Sequence, residues 1–140
     1  MGRVGYPPVR EIQVTTERKT QLLDITTMVR DAIGSDAEGS AALVYVPHTT
    51  AGVIINEKID PDLLADFEMA LDGIVDDRWS WKHVDADGPN APSHVRASML
   101  GPQVLVPLRS GELALGTYQG IFFCEFDGPR SRKVYVATLI

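Results

Sequence analysis

The three histidines of the chain, His48, His83 and His94, lie in polar segments and outside the apolar runs. Imidazole groups act as general acids and bases near neutral pH and are common metal ligands. Three of them are enough to hold a catalytic zinc ion with one position open for water or substrate. Their spacing matches no zinc motif, so histidines with a purely structural or exposed role are the alternative that the residues alone favour.

Acidic and hydroxyl side chains accompany these histidines. The carboxylates of Glu57, Asp85 and Asp87 offer an alternative, a Mg²⁺ ion held through oxygen. His94 and Ser98 are four residues apart in a predicted helix, so they share one of its faces. We predict that the histidines converge on one pocket if the loop 82–92 folds back onto His48. The other groups expected in or near this pocket are Glu57, Asp85 and Ser98.

Other reactive or basic residues have a simpler interpretation. Cys124 lies in an apolar strand, which predicts a buried and inert thiol. Gly116 and Gly120 allow either a close backbone approach to a ligand or a strand bulge. The basic residues Arg130, Arg132 and Lys133 are interpreted as a charged turn, with a phosphate contact as the alternative.

The elements that must position these groups follow from the apolar pattern. Residues 41–46 are apolar almost throughout, which predicts a central strand covered on both faces. Pro47 ends this strand and presents His48, and the next buried strand contains residues 53–55. Asp60 and Pro61 then begin a helix. Its predicted apolar stripe consists of Leu63, Leu64, Phe67, Ala70, Leu71, Ile74 and Val75.

The remaining segments favour strands over helices. Further helices are predicted over residues 28–33 and 94–100, and Trp79 and Trp81 are interpreted as core or interface anchors. Strands are predicted at 11–15, 21–25, 103–108, 112–115, 121–126 and 133–139. Strands outnumber helices, and the two are mixed along the chain, which indicates a β-rich α+β domain.

Length and charge bound the class of protein. The chain has 140 residues and a single cysteine, which predicts one domain over residues 1–140 without a disulfide framework. The net charge of −6 argues against nucleic-acid binding through bulk electrostatics. No apolar run reaches the roughly 18 residues of a membrane span, and no secretory signal is visible, so we expect a cytoplasmic location.

The ordered motifs resemble those of the YjbQ-like family. The resemblance begins at residues 48–52 and continues through Asn56-Glu57 and Asp60-Pro61. It extends through His83, the loop that follows it, and residues 92–101. It ends with residues 115–121 and 131–134, so it covers nearly the whole chain. At Tyr118 the family usually has tryptophan, and the loop with Asp85 and Asp87 differs from the commonest family form.

This resemblance implies a compact α+β domain with a mixed, barrel-like sheet flanked by helices, usually as a homotrimer. It implies secondary thiamine-phosphate synthase activity, which joins a pyrimidine methyl diphosphate to a thiazole phosphate and releases pyrophosphate. A divalent metal, Zn²⁺ or Mg²⁺, would be held by His48, His83 and His94. Expected catalytic residues are His48, Glu57, His83, Asp85, His94 and Ser98, and expected substrate-binding residues are Asn56, Asp60, Asn90, Thr117 and Gln119. The alternatives are a non-catalytic trimer that binds a small anionic metabolite and a metal-dependent hydrolase.

Overall fold

The structure, a computed structural model, describes residues 8–35, 37–58, 60–84 and 88–140. Within these ranges the chain forms three helices and eight strands, which confirms the predicted α+β class. In chain order they are β1 (Arg10–Thr15), β2 (Gln21–Asp24), α1 (Thr26–Ile33), β3 (Ala41–Tyr45), β4 (Ala51–Glu57), α2 (Pro61–Ile74), α3 (Ala91–Leu100), β5 (Gln103–Arg109), β6 (Glu112–Leu113), β7 (Gln119–Glu125) and β8 (Ser131–Leu139).

The strands form two sheets that curl into a half-barrel. One sheet has the order β1-β8-β3-β5-β6, and the other has the order β2-β7-β4. Every pairing between described strands is antiparallel, where a mixed sheet was expected. The reason lies in the connections. Parallel neighbours need a crossover within one sheet, whereas the helical connections here join strands of different sheets.

The main core lies between the two sheets, where alternate strand residues point inward. Val44 and Val136 face it from the five-stranded sheet, and Val53 and Phe123 face it from the three-stranded sheet. Val29 of α1 closes one side. Burying a side chain of this type contributes roughly 1.5–3 kcal/mol. This core therefore fixes β4, the strand that the sequence predicted to be buried.

A second core lies between the three-stranded sheet and helices α2 and α3. Phe122, Cys124 and Phe126 face it from β7 and the residue that follows it. Burial raises the pKa of the Cys124 thiol, so this side chain is inert at neutral pH. From α2, Leu71 is buried against this core, whereas Ile74 is 53% exposed. The predicted stripe is thus only partly buried, because α2 rests on the sheet along a narrow line.

One face of the five-stranded sheet is open. β3 is the central strand of this sheet, as predicted, but only its inner side chains are buried. On the outer face Tyr45 is 39% exposed and Leu105 is 56% exposed. Leu43 stands directly between Leu105 and Ala137 of the neighbouring strands. The prediction of cover on both faces is therefore wrong for the single chain.

Helix α2 has well-defined ends. Its N-cap is Asp60, whose carboxylate accepts a hydrogen bond from the Asp62 N–H at 2.9 Å, as the sequence predicts. Its C-terminal carbonyls are satisfied by a different helix. The guanidinium of Arg96 in α3 is fully buried and donates to the carbonyl oxygens of Leu71, Asp72 and Val75 at 2.6–2.9 Å. Arg96 therefore couples α2 to α3.

Candidate functional site

A pocket of about 300 Å³, lined by both apolar and polar side chains, lies between the start of β4 and helix α3. It brings together three of the predicted site residues, His48, His94 and Ser98. Thr49, Ala51, Ala97 and Pro102 complete its lining. We call this region the histidine end of β4. It unites two segments that lie about 40 residues apart in the chain, which only the tertiary fold can do.

Close packing of α3 against β4 sets the shape of this pocket. The N–H of Val53 donates to the Gly101 carbonyl at 3.2 Å. A Cβ at Gly52 would lie 2.8 Å from that same carbonyl oxygen, so any larger residue would push α3 away. His94 and Ser98 are one helical turn apart and line the pocket together, as their spacing predicts. Ser98 is exposed and His94 half-buried, so both are accessible to a ligand.

His48 is held by the backbone of β8. Its Nε2 atom accepts a hydrogen bond from the Lys133 N–H at 2.9 Å. Burial lowers the pKa of His48, and the positive charge of Arg132 lowers it further. The ring is therefore neutral at physiological pH. A backbone N–H is always a donor, so Nε2 carries the lone pair and Nδ1 carries the proton.

A buried network of charged and hydroxyl side chains supports the segment that follows His48. Glu125 is fully buried, Arg132 is 5% exposed, and the two form a charged pair. Arg132 also donates to the Thr50 hydroxyl at 2.8 Å, and Thr16 donates to Glu125 at 2.8 Å. Burial opposes the ionised form of Glu125, but hydrogen bonds from Arg132, the Asp127 N–H and Thr16 outweigh it and lower its pKa.

This network is not evident from the local sequence pattern. Arg132 was interpreted as part of a charged turn, but it is a buried strand residue whose partners lie in two other parts of the chain. One signal was available. Arg132, Val134 and Val136 occupy every second position of β8. Arg132 therefore points to the same inward side as the core valines.

His83 extends the site beyond the pocket. Its ring lies edge-on to that of His94, with 5.3 Å between the ring centroids. With Zn–N bonds of roughly 2.0–2.1 Å, two imidazoles on one tetrahedral zinc ion would have centroids about 5 Å apart. The ring separation matches that of two metal ligands, and it is equally that of an ordinary edge-to-face ring pair.

His48 does not fit as the third ligand. Its Nε2 lone pair is used by the Lys133 N–H, and its Nδ1 carries the proton. Among the residues that the structure describes, no group of three or more histidine, cysteine or carboxylate side chains is arranged to hold a metal ion. Asp85 and Asp87, the carboxylates predicted for Mg²⁺, lie outside the described residues.

Asn90 stands at the N-terminus of α3, close to the end of β7. Its amide nitrogen donates to Asp127 at 3.1 Å, and Asp127 also accepts from Arg130 at 2.9 Å. The side-chain amide oxygen of Asn90, Oδ1, is buried and has no hydrogen-bond partner in the described parts of the chain. A buried acceptor without a partner is costly, so a ligand donor or water at this position would be stabilising.

The remaining predicted residues lie at the other end of β4, which we call the glutamate end. β4 has seven residues, and a strand of that length spans roughly 20 Å. Glu57 is exposed and pairs in register with Gln119 of β7. The Gln119 side chain accepts from the Gly116 N–H at 2.8 Å, which closes a turn around the exposed Thr117.

Asn56 also lies at the glutamate end, and Asp60 serves as the α2 cap. Within one chain, therefore, Asn56, Glu57, Asp60, Thr117 and Gln119 do not join the pocket that holds His48, His94 and Ser98. The predicted strand already implies this division, because His48 and Glu57 flank its opposite ends and a strand holds its two ends apart.

The fold and the pocket define a class of protein: a curled antiparallel α+β half-barrel with a histidine pocket between a strand end and a helix. The profile of the family described as UPF0047 protein YjbQ-like matches residues 10–140, and the chain belongs to that family.

Relatives match over most of their length. The chain is 39% identical to the UPF0047 protein YugU of Bacillus subtilis over 135 residues, which cover 94% of this chain and 98% of YugU. It is 39% identical to a UPF0047 protein of Methanocaldococcus jannaschii, with 91% of each chain covered. A hypothetical protein of Aeropyrum pernix has a similar crystal structure, with a TM-score of 0.87 and 35% identity over 94% of this chain and 98% of that one.

The described part of the chain has no helix that is long and apolar enough to cross a membrane.

Proposed function

We propose that this protein is a transferase of the thiamine-phosphate synthase type, which joins a pyrimidine methyl diphosphate to a thiazole phosphate. The observation that carries the proposal is the pocket at the histidine end, where His48, His94 and Ser98 meet on a buried ionic support. The family resemblance supplies the substrates. A cytoplasmic location and a phosphorylated small-molecule substrate, with neither nucleic acid nor membrane as partner, belong to the same proposal.

The reaction breaks the bond between the pyrimidine methylene carbon and the diphosphate oxygen. The electron pair of that bond leaves with pyrophosphate, and the thiazole nitrogen forms the new bond to the methylene carbon. Negative charge grows on the departing oxygen, so fixed hydrogen-bond donors aimed at that oxygen would stabilise the transition state. The His48 Nδ1–H and the Ser98 hydroxyl line the pocket and can donate in this way.

A divalent ion, Zn²⁺ or Mg²⁺, remains part of the proposal. His83 and His94 would hold it, because the separation of their rings fits two ligands. When bound, such an ion would neutralise charge on the diphosphate. The role of the protein residues is to orient this group and to keep the donors in place.

We further propose a homotrimer in which the site lies at subunit contacts. The open apolar face of the five-stranded sheet supports association with further copies of the chain. A head-to-tail arrangement forms a ring when its rotation closes, and we propose one in which the glutamate end of one subunit lies at the histidine end of the next. Size exclusion with light scattering at micromolar concentration should give the mass of three chains, and a monomer would refute this arrangement.

Two other functions use the same pocket. A non-catalytic protein would bind a small anionic metabolite without turnover, and a metal-dependent hydrolase would release pyrophosphate without the thiazole substrate. The transferase is favoured over the binder because hydrogen-bond donors that could stabilise the departing diphosphate oxygen meet in one pocket.

The deciding experiment measures pyrophosphate release by the wild-type protein. The pyrimidine diphosphate is supplied with and without the thiazole phosphate, each with Mg²⁺, with Zn²⁺ and with chelator. The transferase predicts release only when both substrates are present, together with the coupled product. Release without the thiazole phosphate would favour the hydrolase, and no release under any condition would favour the binder.

A further inference from the structure

His48 has a fixed hydrogen-bonding state that follows from the backbone alone. Its Nε2 atom lies 2.9 Å from the Lys133 nitrogen, which carries a hydrogen and donates. A neutral imidazole has one N–H and one lone pair. Since the lone pair lies on Nε2, the proton must lie on Nδ1, and this ring cannot also bind a metal ion through either nitrogen.

Burial and the positive charges near the ring also disfavour a second proton on His48. Arg132, whose guanidinium is held by Glu125 and Thr50, opposes a second proton on the ring. Lys133 adds a further positive charge, and Glu125 opposes both. The ring therefore stays neutral.

The Nδ1–H group is free to bind a ligand. It donates to no residue in the part of the chain that the structure describes, and His48 is only half-buried at the edge of the pocket. The Ser98 hydroxyl lines the same pocket and can also donate. Two donors around a small pocket suit an oxygen with spare lone pairs, as in phosphate or pyrophosphate.

We propose that His48 is a neutral hydrogen-bond donor, through Nδ1–H, to an anionic phosphate oxygen, and is neither a metal ligand nor a general base. The choice of phosphate as the ligand rests on the proposed function. The protonation of the ring does not, because it follows from the Lys133 contact. A metal ion, where present, is then bound by His83 and His94 without His48.

The test is long-range ¹H–¹⁵N NMR of the imidazole rings in the full-length protein. The chain has only three histidines, so the His48 signals are those missing from a His48→Asn variant. We expect a protonated Nδ1 and an unprotonated Nε2 near pH 7.5, unchanged when Zn²⁺ or Mg²⁺ is added. A proton on Nε2, or a shift of the His48 nitrogens on metal binding, would overturn the proposal.

The anion part is tested by calorimetric titration with inorganic pyrophosphate. His48→Asn keeps an N–H donor near the position of Nδ1, whereas His48→Leu removes it. A lost hydrogen bond to a charged group typically weakens binding roughly 10- to 100-fold. We expect that loss in His48→Leu and partial rescue in His48→Asn, with melting temperatures confirming that both variants fold.

The outcomes separate this inference from the proposed function. Equal affinity in His48→Leu and the wild type, or no pyrophosphate binding by the wild type, would overturn the donor role. Correct protonation and binding in a protein that never turns over would leave the inference intact and refute the transferase. Turnover by a protein whose His48 binds zinc would support the transferase and refute this inference.

Discussion

The two ends of β4 carry similar residues but hold them in different ways. At the histidine end, His48 is fixed by the backbone of β8, and the segment beside it rests on the buried pair of Glu125 and Arg132. At the glutamate end, Glu57 is exposed, and the nearby Gln119 side chain closes only a local turn. The backbone of both ends is held by distant strands, but long-range hydrogen bonds fix the side chains at the histidine end, whereas the Gln119 side chain makes only a local one.

This difference indicates where one chain can support chemistry by itself. Donors that are already oriented lose little free energy when a charged ligand arrives. The histidine end meets this condition within a single subunit. The glutamate end does not, so its residues contribute to the same site only if a second subunit brings them there.

The largest expected effect comes from removing the ionic support. Arg132→Ala would leave Glu125 charged and buried without a partner, which typically costs about 3–5 kcal/mol of unfolding free energy. Arg130→Ala is the matched control, because Arg130 is partly exposed and pairs with Asp127 at the surface. We expect the control to lose less than about 1 kcal/mol in urea unfolding. Equal losses would mean that the buried pair gives the histidine end no special support.

A smaller loss is expected from the contact between α2 and α3. Arg96→Met removes the donor to the C-terminal carbonyls of α2, and each buried carbonyl left without a partner costs about 1–3 kcal/mol. Some of these carbonyls would recover water, so we expect a total loss of about 2–3 kcal/mol. Arg78→Met at the exposed surface should cause no measurable change in the same unfolding experiment. A stable Arg96→Met protein would contradict the coupling of these helices.

Lowering the pH should reduce the unfolding free energy, because Glu125 loses its charge. Because the pKa of Glu125 is lowered in the folded state, its stabilisation is complete above the ordinary glutamate pKa of about 4.3 and is lost as pH falls through the lower folded value. Urea unfolding between pH 7 and about 3 should therefore show falling stability.

The control for acid sensitivity removes both charges together. The double variant Glu125→Gln with Arg132→Met leaves no single charge buried, so it should fold. Its stability should fall less steeply with acid than that of the wild type. Parallel curves would show that Glu125 is not responsible for the loss.

The smallest stability effect is expected at the glutamate end. Glu57→Ala alters an exposed side chain, so the unfolding free energy should change by no more than about 0.5 kcal/mol.

The Glu57→Ala variant is most informative in a subunit-mixing experiment. If adjacent subunits share the site, Glu57→Ala and His48→Ala trimers should each be inactive, and dissociating and reassociating them together should restore about a quarter of the sites. Full activity of Glu57→Ala alone would exclude Glu57 from the site.

The sequence predicted the local features of the site well. β4 and the Asp60 cap follow from patterns within a few residues, and both are confirmed. His94 and Ser98 line one pocket because helical spacing is regular. The role of Arg132 was missed because its partners Glu125 and Thr50 lie in other strands or loops. The open outer face of β3 was missed because apolar residues on both faces resemble a strand with cover on both sides.

The central claim is that the pocket at the histidine end performs chemistry in which His48 donates a hydrogen bond. It is tested most directly by pyrophosphate release from the two substrates, compared between the wild type and His48→Ala at equal folded fraction. Removing a preorganised donor should slow turnover about 10²- to 10³-fold. The exposed Lys133 N–H can recover water, so stability should fall by less than about 1 kcal/mol. Equal turnover in the two proteins, or a collapse of the His48→Ala melting temperature, would contradict the account.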